Sequence, residues 1–201
     1  MKVIRLGWRW LGLSAVTLFI GACTTGPGQK TADIQWDQHS ARLLAATHWR
    51  VRGKVALRTP EQSETASLDW QQRGDQSELR LSGPLGLAPV SAVSDGRTLT
   101  VSRGDDQREM QLDSMTSITA ATGWPLPLQQ LPFWLRGLPA PGDQAATEIE
   151  GGLLRRLQQD GWQVEYQDYG SFEGDQLPTR IAVANGQLSA RLLLREWQLA
   201  Q

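Results

Sequence analysis

From Trp49 onward, apolar and polar side chains alternate with a period of two. Every second residue from Trp49 to Leu57 is apolar or glycine, and basic residues occupy most of the positions between them. This period places successive side chains on opposite faces of a β-strand, so the run predicts a strand that is buried on one face. Similar runs recur almost to the end of the chain, separated by short turns such as Asn185-Gly186. Strands joined by short turns pair antiparallel, and the chain therefore predicts a large antiparallel sheet.

About ten or eleven strands follow from these runs, and three stretches with a helical period interrupt them. The first stretch begins at Asp33, the second covers 114–122, and the third runs from Leu128 to Leu135. The polar stretches 139–151 and 170–176 predict loops. A long sheet with one apolar face must cover that face, and it can do so by curling around helices. The sequence thus predicts an α+β fold, a strongly curved antiparallel sheet with about three short helices covering its concave face.

The first 22 residues have the parts of a secretory signal peptide. Three basic residues precede an apolar run from Leu11 to Ile20, and the small pair Gly21-Ala22 follows. The run is shorter than the about 20 apolar residues that a stable membrane span needs. Cys23 comes next and, as the only cysteine of the chain, has no partner for an internal disulfide. The alternatives are an ordinary signal peptide with an incidental cysteine and a site of lipid attachment.

The sequence Ile20-Gly21-Ala22-Cys23 resembles the lipobox of bacterial lipoproteins. The resemblance implies that the signal is cut before Cys23, and that its thiol and its new amino group are acylated. Three chains hold a protein on a membrane far more firmly than one, because each buried methylene contributes about 0.8 kcal/mol. Thr24 rather than Asp follows the cysteine, which by analogy with lipoprotein sorting implies the outer membrane.

The predicted organisation is a signal peptide over 1–22, a lipidated N-terminus with a flexible tether over 23–32, and one domain over 33–201. The tether is expected because residues 26–31 contain glycine and proline. Of the 20 basic residues three lie in the signal, which holds no acidic residue. The remaining 17 basic and 21 acidic residues give a net charge of −4. This balance offers no electrostatic reason to expect a nucleic-acid partner.

Motifs of common enzymes are missing from the sequence. It contains no G-x-S-x-G, H-E-x-x-H or P-loop pattern, and a lipidated Cys23 could not act as a nucleophile. His39 and His48 are not spaced as a metal pair on one helix face. The chain is therefore predicted to be neither an enzyme nor a protein with a metal or cofactor.

One turn departs from the usual composition. Gly83-Pro84-Leu85-Gly86 carries an apolar side chain where turns usually carry polar ones. Leu85 could fold back onto the core, or it could project outward from a tight tip. The residues alone leave both alternatives open.

This turn is one of several stretches that, with the lipobox, resemble the LolB family of outer-membrane lipoproteins in their order and spacing. The others are Gly123–Leu128, Trp134–Pro139, Gly161–Tyr166, Leu177–Ile181 and Leu192–Trp197. The resemblance implies an incomplete β-barrel whose cavity takes up acyl chains of cargo lipoproteins, and a soluble periplasmic carrier, LolA, of similar fold. It also implies that Leu85, between Pro84 and Gly86, helps to deliver cargo into the bilayer.

The expected function is that of a monomeric receptor, anchored on the periplasmic face of the outer membrane, that accepts lipoproteins from LolA and inserts them into that membrane. The alternative is a structural or assembly lipoprotein that binds a protein through its sheet and has a filled core. Alternation does not distinguish the wall of a cavity from a packed core. The candidate cavity residues that it provides are Trp49, Val55, Trp70, Leu81, Val101, Trp134, Trp162 and Leu192.

Overall fold

The structure is a computed structural model, which describes residues 27–83, 89–111, 126–142 and 144–200. Two helices, α1 (Pro27–Ala45) and α2 (Leu131–Leu135), accompany eleven strands. The strands are β1 (His48–Arg58), β2 (Ser63–Arg73), β3 (Gln76–Ser82), β4 (Val90–Ser94), β5 (Thr98–Arg103), β6 (Asp106–Gln111), β7 (Ala146–Glu150), β8 (Leu153–Gln159), β9 (Trp162–Phe172), β10 (Asp175–Ala184) and β11 (Ser189–Ala200).

All eleven strands belong to one antiparallel sheet. Their order is β6-β5-β4-β3-β2-β1-β11-β10-β9-β8-β7, so β6 and β7 form its two edges. The first and last strands pair in the middle, with His48 opposite Ala200 and Arg58 opposite Ser189. The sheet therefore consists of two consecutive meanders, β1–β6 and β7–β11. The pairing of β1 with β11 joins them.

The sheet is strongly curved and open, as predicted. Neighbouring strands lie about 4.8 Å apart, so a flat sheet of this size would hold its outer strands tens of ångströms from each other. Instead, one short segment reaches both halves of the sheet, since Leu128 lies beside Leu79 of β3 and Trp134 bonds Gln159 of β8. The sheet curls around the chain segment that carries α2, and the core lies on its concave side.

The helices differ in part from the prediction. Helix α1 begins at Pro27 instead of near Asp33, and at 19 residues it is not short. Residues 27–32, predicted as part of the flexible tether, are thus helical. Proline suits the first helical turn because its φ is already fixed and its missing N–H is not needed there. The helix predicted over 114–122 lies outside the described residues.

Two predicted loops contain strand. Edge strand β7 lies within the predicted loop 139–151; its mostly exposed side chains lack the apolar alternation of a half-buried strand. The predicted loop 170–176 is reduced to a tight turn between β9 and β10. Glu173 and Gly174 form this turn, both with positive φ (52° and 92°), as the commonest two-residue hairpin turn requires.

Helix α2 is fastened to β8 and β9 by buried hydrogen bonds. The indole N–H of Trp134 donates to the side-chain oxygen of Gln159 at 3.0 Å, and the Tyr166 hydroxyl donates to the Trp134 carbonyl at 3.0 Å. The Gln159 amide also bonds both the N–H and the carbonyl of Ala140, at 3.0 and 2.8 Å. Trp134 is 1% exposed, so α2 packs tightly against the sheet.

Candidate functional site

Two adjoining cavities lie between the concave face of β1–β4 and the segment 126–136. The larger has a volume of about 460 Å³ and the smaller about 240 Å³. Leu79, Ala92 and Leu128 line both of them. The two spaces therefore form one trough, which runs along the strands of the first meander and which we call the concave trough.

The larger cavity lies at the end of the trough where β2 turns into β3 and β4 into β5. Its walls are mixed: Trp49, Trp70 and Phe133 provide aromatic surface, whereas the two turns contribute the charged residues Asp75, Asp95 and Arg97. This end of the trough can therefore accommodate a ligand that carries polar groups.

The smaller cavity is lined mainly by aliphatic side chains, with Glu64 and Arg103 also in its wall. The aliphatic residues are Val55, Leu57, Leu79, Leu81, Val90, Leu126 and Leu128. Such a lining suits hydrocarbon, because apolar surface gains about 25 cal/mol per Å² when it leaves water. Gly83 and Val90, which flank the stretch 84–88, belong to this wall. Pro84, Leu85 and Gly86 themselves lie outside the described residues.

The eight candidate residues divide into two groups. Trp49 and Trp70 line the larger cavity, and Val55 and Leu81 line the smaller one. The other four are between 1% and 4% exposed and belong to the packed core: Val101, Trp134, Trp162 and Leu192. The period of two placed seven of them on the concave side and the helical period of 128–135 placed Trp134 there, but neighbouring packing decides which of them face free space.

Trp49 lies at the centre of an aromatic cluster. Its ring centroid is 6.2 Å from that of Trp70 and 5.8 Å from that of Trp197. The Trp197 indole donates a 3.0 Å hydrogen bond to the carbonyl of Pro178. The Trp49 indole nitrogen is buried without a hydrogen-bond partner in the structure.

Arg136 is a buried cation that the sequence did not indicate. It is 5% exposed, although arginine is rarely buried unless its charge is paired. Its Nη1 donates to the carbonyls of Leu43 and Ala46 at 2.6 and 2.9 Å, and its Nε donates to the carbonyl of Pro132 at 3.0 Å. The first two carbonyls belong to the C-terminal end of α1, where the helix dipole favours a positive charge.

The guanidinium of Arg136 also contacts aromatic rings. Its central carbon lies 5.7 Å from the ring centroid of Trp49 and 5.4 Å from that of Phe133. Burial lowers the pKa of Arg136 to about 10, so the group keeps its charge at neutral pH. Within the described ranges no carboxylate forms an ion pair with it. Its charge is therefore balanced by carbonyl dipoles and ring faces, in the wall of the larger cavity.

The opposite face of the sheet is charged. Arg50 of β1 forms a bidentate contact with Asp69 of β2, at 2.8 and 2.5 Å. Arg52 bonds Asp69 and Glu196, each at 3.2 Å. The hydrogen bond from Arg50 lowers the pKa of Asp69, so this pair stays ionised at neutral pH. The convex face is thus solvated, and the apolar surface is concentrated in the trough.

The described residues contain neither a membrane-spanning helix nor a metal-binding cluster. In the ranges that the structure describes, neither helix is both long and apolar enough to cross a bilayer. Across the same ranges, no group of three or more His, Cys, Asp or Glu residues is arranged to hold a metal ion.

Comparison with known proteins gives consistent results. The family model "Outer membrane lipoprotein LolB" matches residues 47–197. The outer-membrane lipoprotein LolB of Chromohalobacter salexigens is 35% identical over 193 residues, which cover 94% of this chain and 90% of that protein. Its counterpart in Alkalilimnicola ehrlichii is 37% identical over 194 residues, which cover 94% and 95% of the two chains.

The fold also occurs among solved structures. A LolA superfamily protein of Nitrosomonas europaea superimposes with a TM-score of 0.55, covering 85% of this chain and 94% of that one. The two sequences are only 12% identical, so this likeness concerns the fold alone.

Proposed function

The chain belongs to the LolB family of outer-membrane lipoproteins, and we propose that it receives lipoproteins at the periplasmic face of the outer membrane and inserts them into that membrane. The observation that carries the proposal is the concave trough. Its larger cavity, of about 460 Å³, is of the size of known ligand pockets, about 300–1,000 Å³, and the adjoining cavity of about 240 Å³ extends it. A protein with a purely structural sheet would fill this space with side chains.

Acyl chains require such a space because their exposure to water is costly. At about 0.8 kcal/mol per methylene, three exposed chains would cost tens of kcal/mol. The aliphatic walls around Leu79 and Leu128 can cover part of this surface during transfer. Trp49 and Trp70 extend the apolar wall toward the polar end of the trough.

The donor of the cargo is a periplasmic carrier of the LolA type. The likeness to a LolA superfamily structure supports a donor and a receptor that share one architecture. Cargo can then pass without nucleotide hydrolysis, provided that each successive site binds the chains more favourably and the bilayer is last. Neither a catalytic step nor a cofactor is part of this proposal.

The anchor and the release element complete the proposal. Residues 1–22 act as the signal, Cys23 carries the lipid, and residues up to 32 link it to a single domain over 33–201. The receptor acts as a monomer in this proposal. Pro84, Leu85 and Gly86 form the membrane-inserting loop. This role is supported by Gly83 and Val90, since the chain enters and leaves this loop at the wall of the smaller cavity.

A transfer experiment tests the proposal. A soluble form lacking residues 1–23 is mixed with LolA that carries a labelled triacylated lipoprotein, and the two proteins are separated. The label should move to the soluble form. Retention of all label on LolA, by a receptor that is folded by circular dichroism, would contradict the proposed function. It would favour the alternative of a structural lipoprotein that binds its partner through the sheet.

A further inference from the structure

We propose that a shallow hollow on the convex face of the sheet binds headgroups of anionic phospholipids and thereby holds the protein against the membrane surface. The hollow has a volume of about 300 Å³ and is formed by the neighbouring strands β3, β2, β1 and β11. We call it the convex hollow. Because it lies on the face opposite the trough, the inference adds a second binding site to the proposed function.

Positive charge exceeds negative charge in the convex hollow. Its basic lining residues are Arg52, Lys54, Arg80 and Arg195, and its acidic ones are Asp69 and Glu196. Arg52 bonds both carboxylates, each at 3.2 Å, and Arg80 pairs with Glu78 outside the hollow. No ion pair within the described ranges involves Lys54 or Arg195. The hollow therefore carries uncompensated positive charge, although the whole chain has a net charge of −1.

A row of hydrogen-bond donors crosses the hollow. Ser82 of β3 lies opposite Ser67 of β2, which lies opposite Lys54 of β1. Residues directly opposite each other share one face of a sheet, and all three are exposed. Their side chains make no hydrogen bond within the described part of the chain. Hydroxyl and ammonium groups beside arginine are the donors that bind phosphate oxygens, so the row suits a phosphate group.

An exposed leucine beside this row favours a lipid surface over a soluble phosphate. Leu193 of β11 lies opposite Lys54 and is 39% exposed. Binding to a membrane surface combines attraction between cations and anionic headgroups with burial of apolar side chains in the interface. Lys54 and Leu193 provide both contributions at adjacent positions. A small soluble anion would gain nothing from the leucine.

The position of the hollow in the sheet agrees with membrane contact. Ser82, at one end of the donor row, is the last residue of β3, and the chain leaves the strand at Gly83. The hollow is therefore next to the point from which the chain continues into the proposed membrane-inserting loop. A bilayer that receives this loop would bring its headgroups to the same edge of the sheet.

The test measures binding of the soluble form to two kinds of vesicle, one of phosphatidylcholine alone and one of phosphatidylcholine and phosphatidylglycerol in equal parts. Wild-type protein should bind the anionic vesicles at least about tenfold more tightly, because each cation near an anionic surface contributes about fivefold in affinity. The preference should decrease as the salt concentration rises, since salt screens exposed charges.

Two double variants assign the preference to the hollow. Lys54→Gln/Arg195→Gln should bind the anionic vesicles at least about tenfold more weakly than wild-type protein. Arg73→Gln/Arg108→Gln is the matched control, because it removes the same charge from exposed positions outside the hollow. This control should keep the preference for anionic vesicles. Circular dichroism should show both variants folded, since all four side chains are exposed.

The outcomes separate the convex hollow from the proposed function. Equal affinity of wild-type protein for both vesicles, or equal losses in the two double variants, would overturn the headgroup site and leave the function standing. Lys54→Gln/Arg195→Gln should still take up lipoprotein from LolA in solution. Loss of this uptake with unchanged vesicle binding would mean that the hollow contacts the carrier protein, which also overturns the inference. Failure of wild-type protein to take up lipoprotein, with its vesicle preference intact, would overturn only the proposed function.

Discussion

Gly53 of β1 lies directly against the carbonyl group of Leu193 in β11. A Cβ at position 53 would overlap the Leu193 oxygen and stand only 3.0 Å from its carbon. At this point the register shifts, since Arg52 pairs with Glu196 but Gly53 pairs with Leu194. The extra residue, Arg195, is a β-bulge, which reverses the alternation after it. Trp197 consequently turns inward and packs against Trp49, which it could not do in a regular strand.

Gly53→Ala should destabilise the protein by at least about 2 kcal/mol, because the backbone of β11 must move away from the new methyl group. Near-ultraviolet circular dichroism should change as well, since Trp197 depends on the bulge for its position. Urea unfolding measures the first effect. Ser67→Ala, on the exposed face of the neighbouring strand, is the control and should stay within about 0.5 kcal/mol. Equal stability of the two variants would show that the bulge tolerates a side chain.

Gln159→Leu should cost about 3 kcal/mol or more. The leucine fills a similar volume but leaves the Trp134 indole and both backbone groups of Ala140 buried without partners. The free energy of unfolding in urea measures the loss. Gln163→Leu on the exposed face of β9 is the matched control and should change stability little. A small effect at position 159 would mean that water replaces the lost bonds.

His39 should make stability depend on pH. Burial, with a smaller contribution from the charge of Arg42, lowers the pKa of His39 below its ordinary value of 6.5. The unfolded chain therefore binds a proton more readily, and stability should decrease as the pH falls from about 7 through 6.5 toward the folded-state pKa. Denaturation at several pH values should show a smaller decrease in His39→Gln than in His48→Gln. Identical pH profiles would exclude this contribution.

Much of the fold followed from the sequence, because a half-buried strand shows its two faces as alternating residue types. Strand β1 and the inward residues of the first meander are clear examples. Edge strand β7 was missed, since both of its faces are largely exposed and no apolar alternation marks it. The bulge at Arg195 was missed because a change of phase in one strand depends on the backbone of its neighbour.

The candidate site was predictable only in part. Alternation identified Trp49 and Trp70 as inward residues. The helical period identified Trp134 in the same way, but its indole is buried and bonded to Gln159 instead of lining the cavity. The local sequence did not predict that Arg136 is buried. Its burial depends on carbonyl groups at the C-terminal end of α1, which lie about 90 residues earlier in the chain. Such partners follow from the tertiary structure and not from local sequence.

Leu85→Glu should leave folding and uptake from LolA intact and block release into the bilayer. A leucine that enters an apolar environment gains about 1.5–3 kcal/mol, whereas a glutamate resists insertion. The assay follows a labelled lipoprotein from carrier to receptor to liposome. Val93→Glu, which places the same charge at a residue that is 48% exposed on the convex face, is the control and should release normally. Normal delivery by Leu85→Glu, or loss of uptake together with loss of fold, would reject an insertion role for Leu85.

The central claim is that acyl chains of the cargo occupy the concave trough. The most direct measurement loads the soluble form with a lipoprotein whose chains carry a diazirine, irradiates it, and maps the cross-linked residues by mass spectrometry. We predict adducts on Val55, Leu79, Ala92 and Leu128, which line the trough. Val93 and Leu193 are exposed apolar residues outside the trough and should remain unmodified. Adducts mainly on Val93 and Leu193, with none in the trough, would contradict the account.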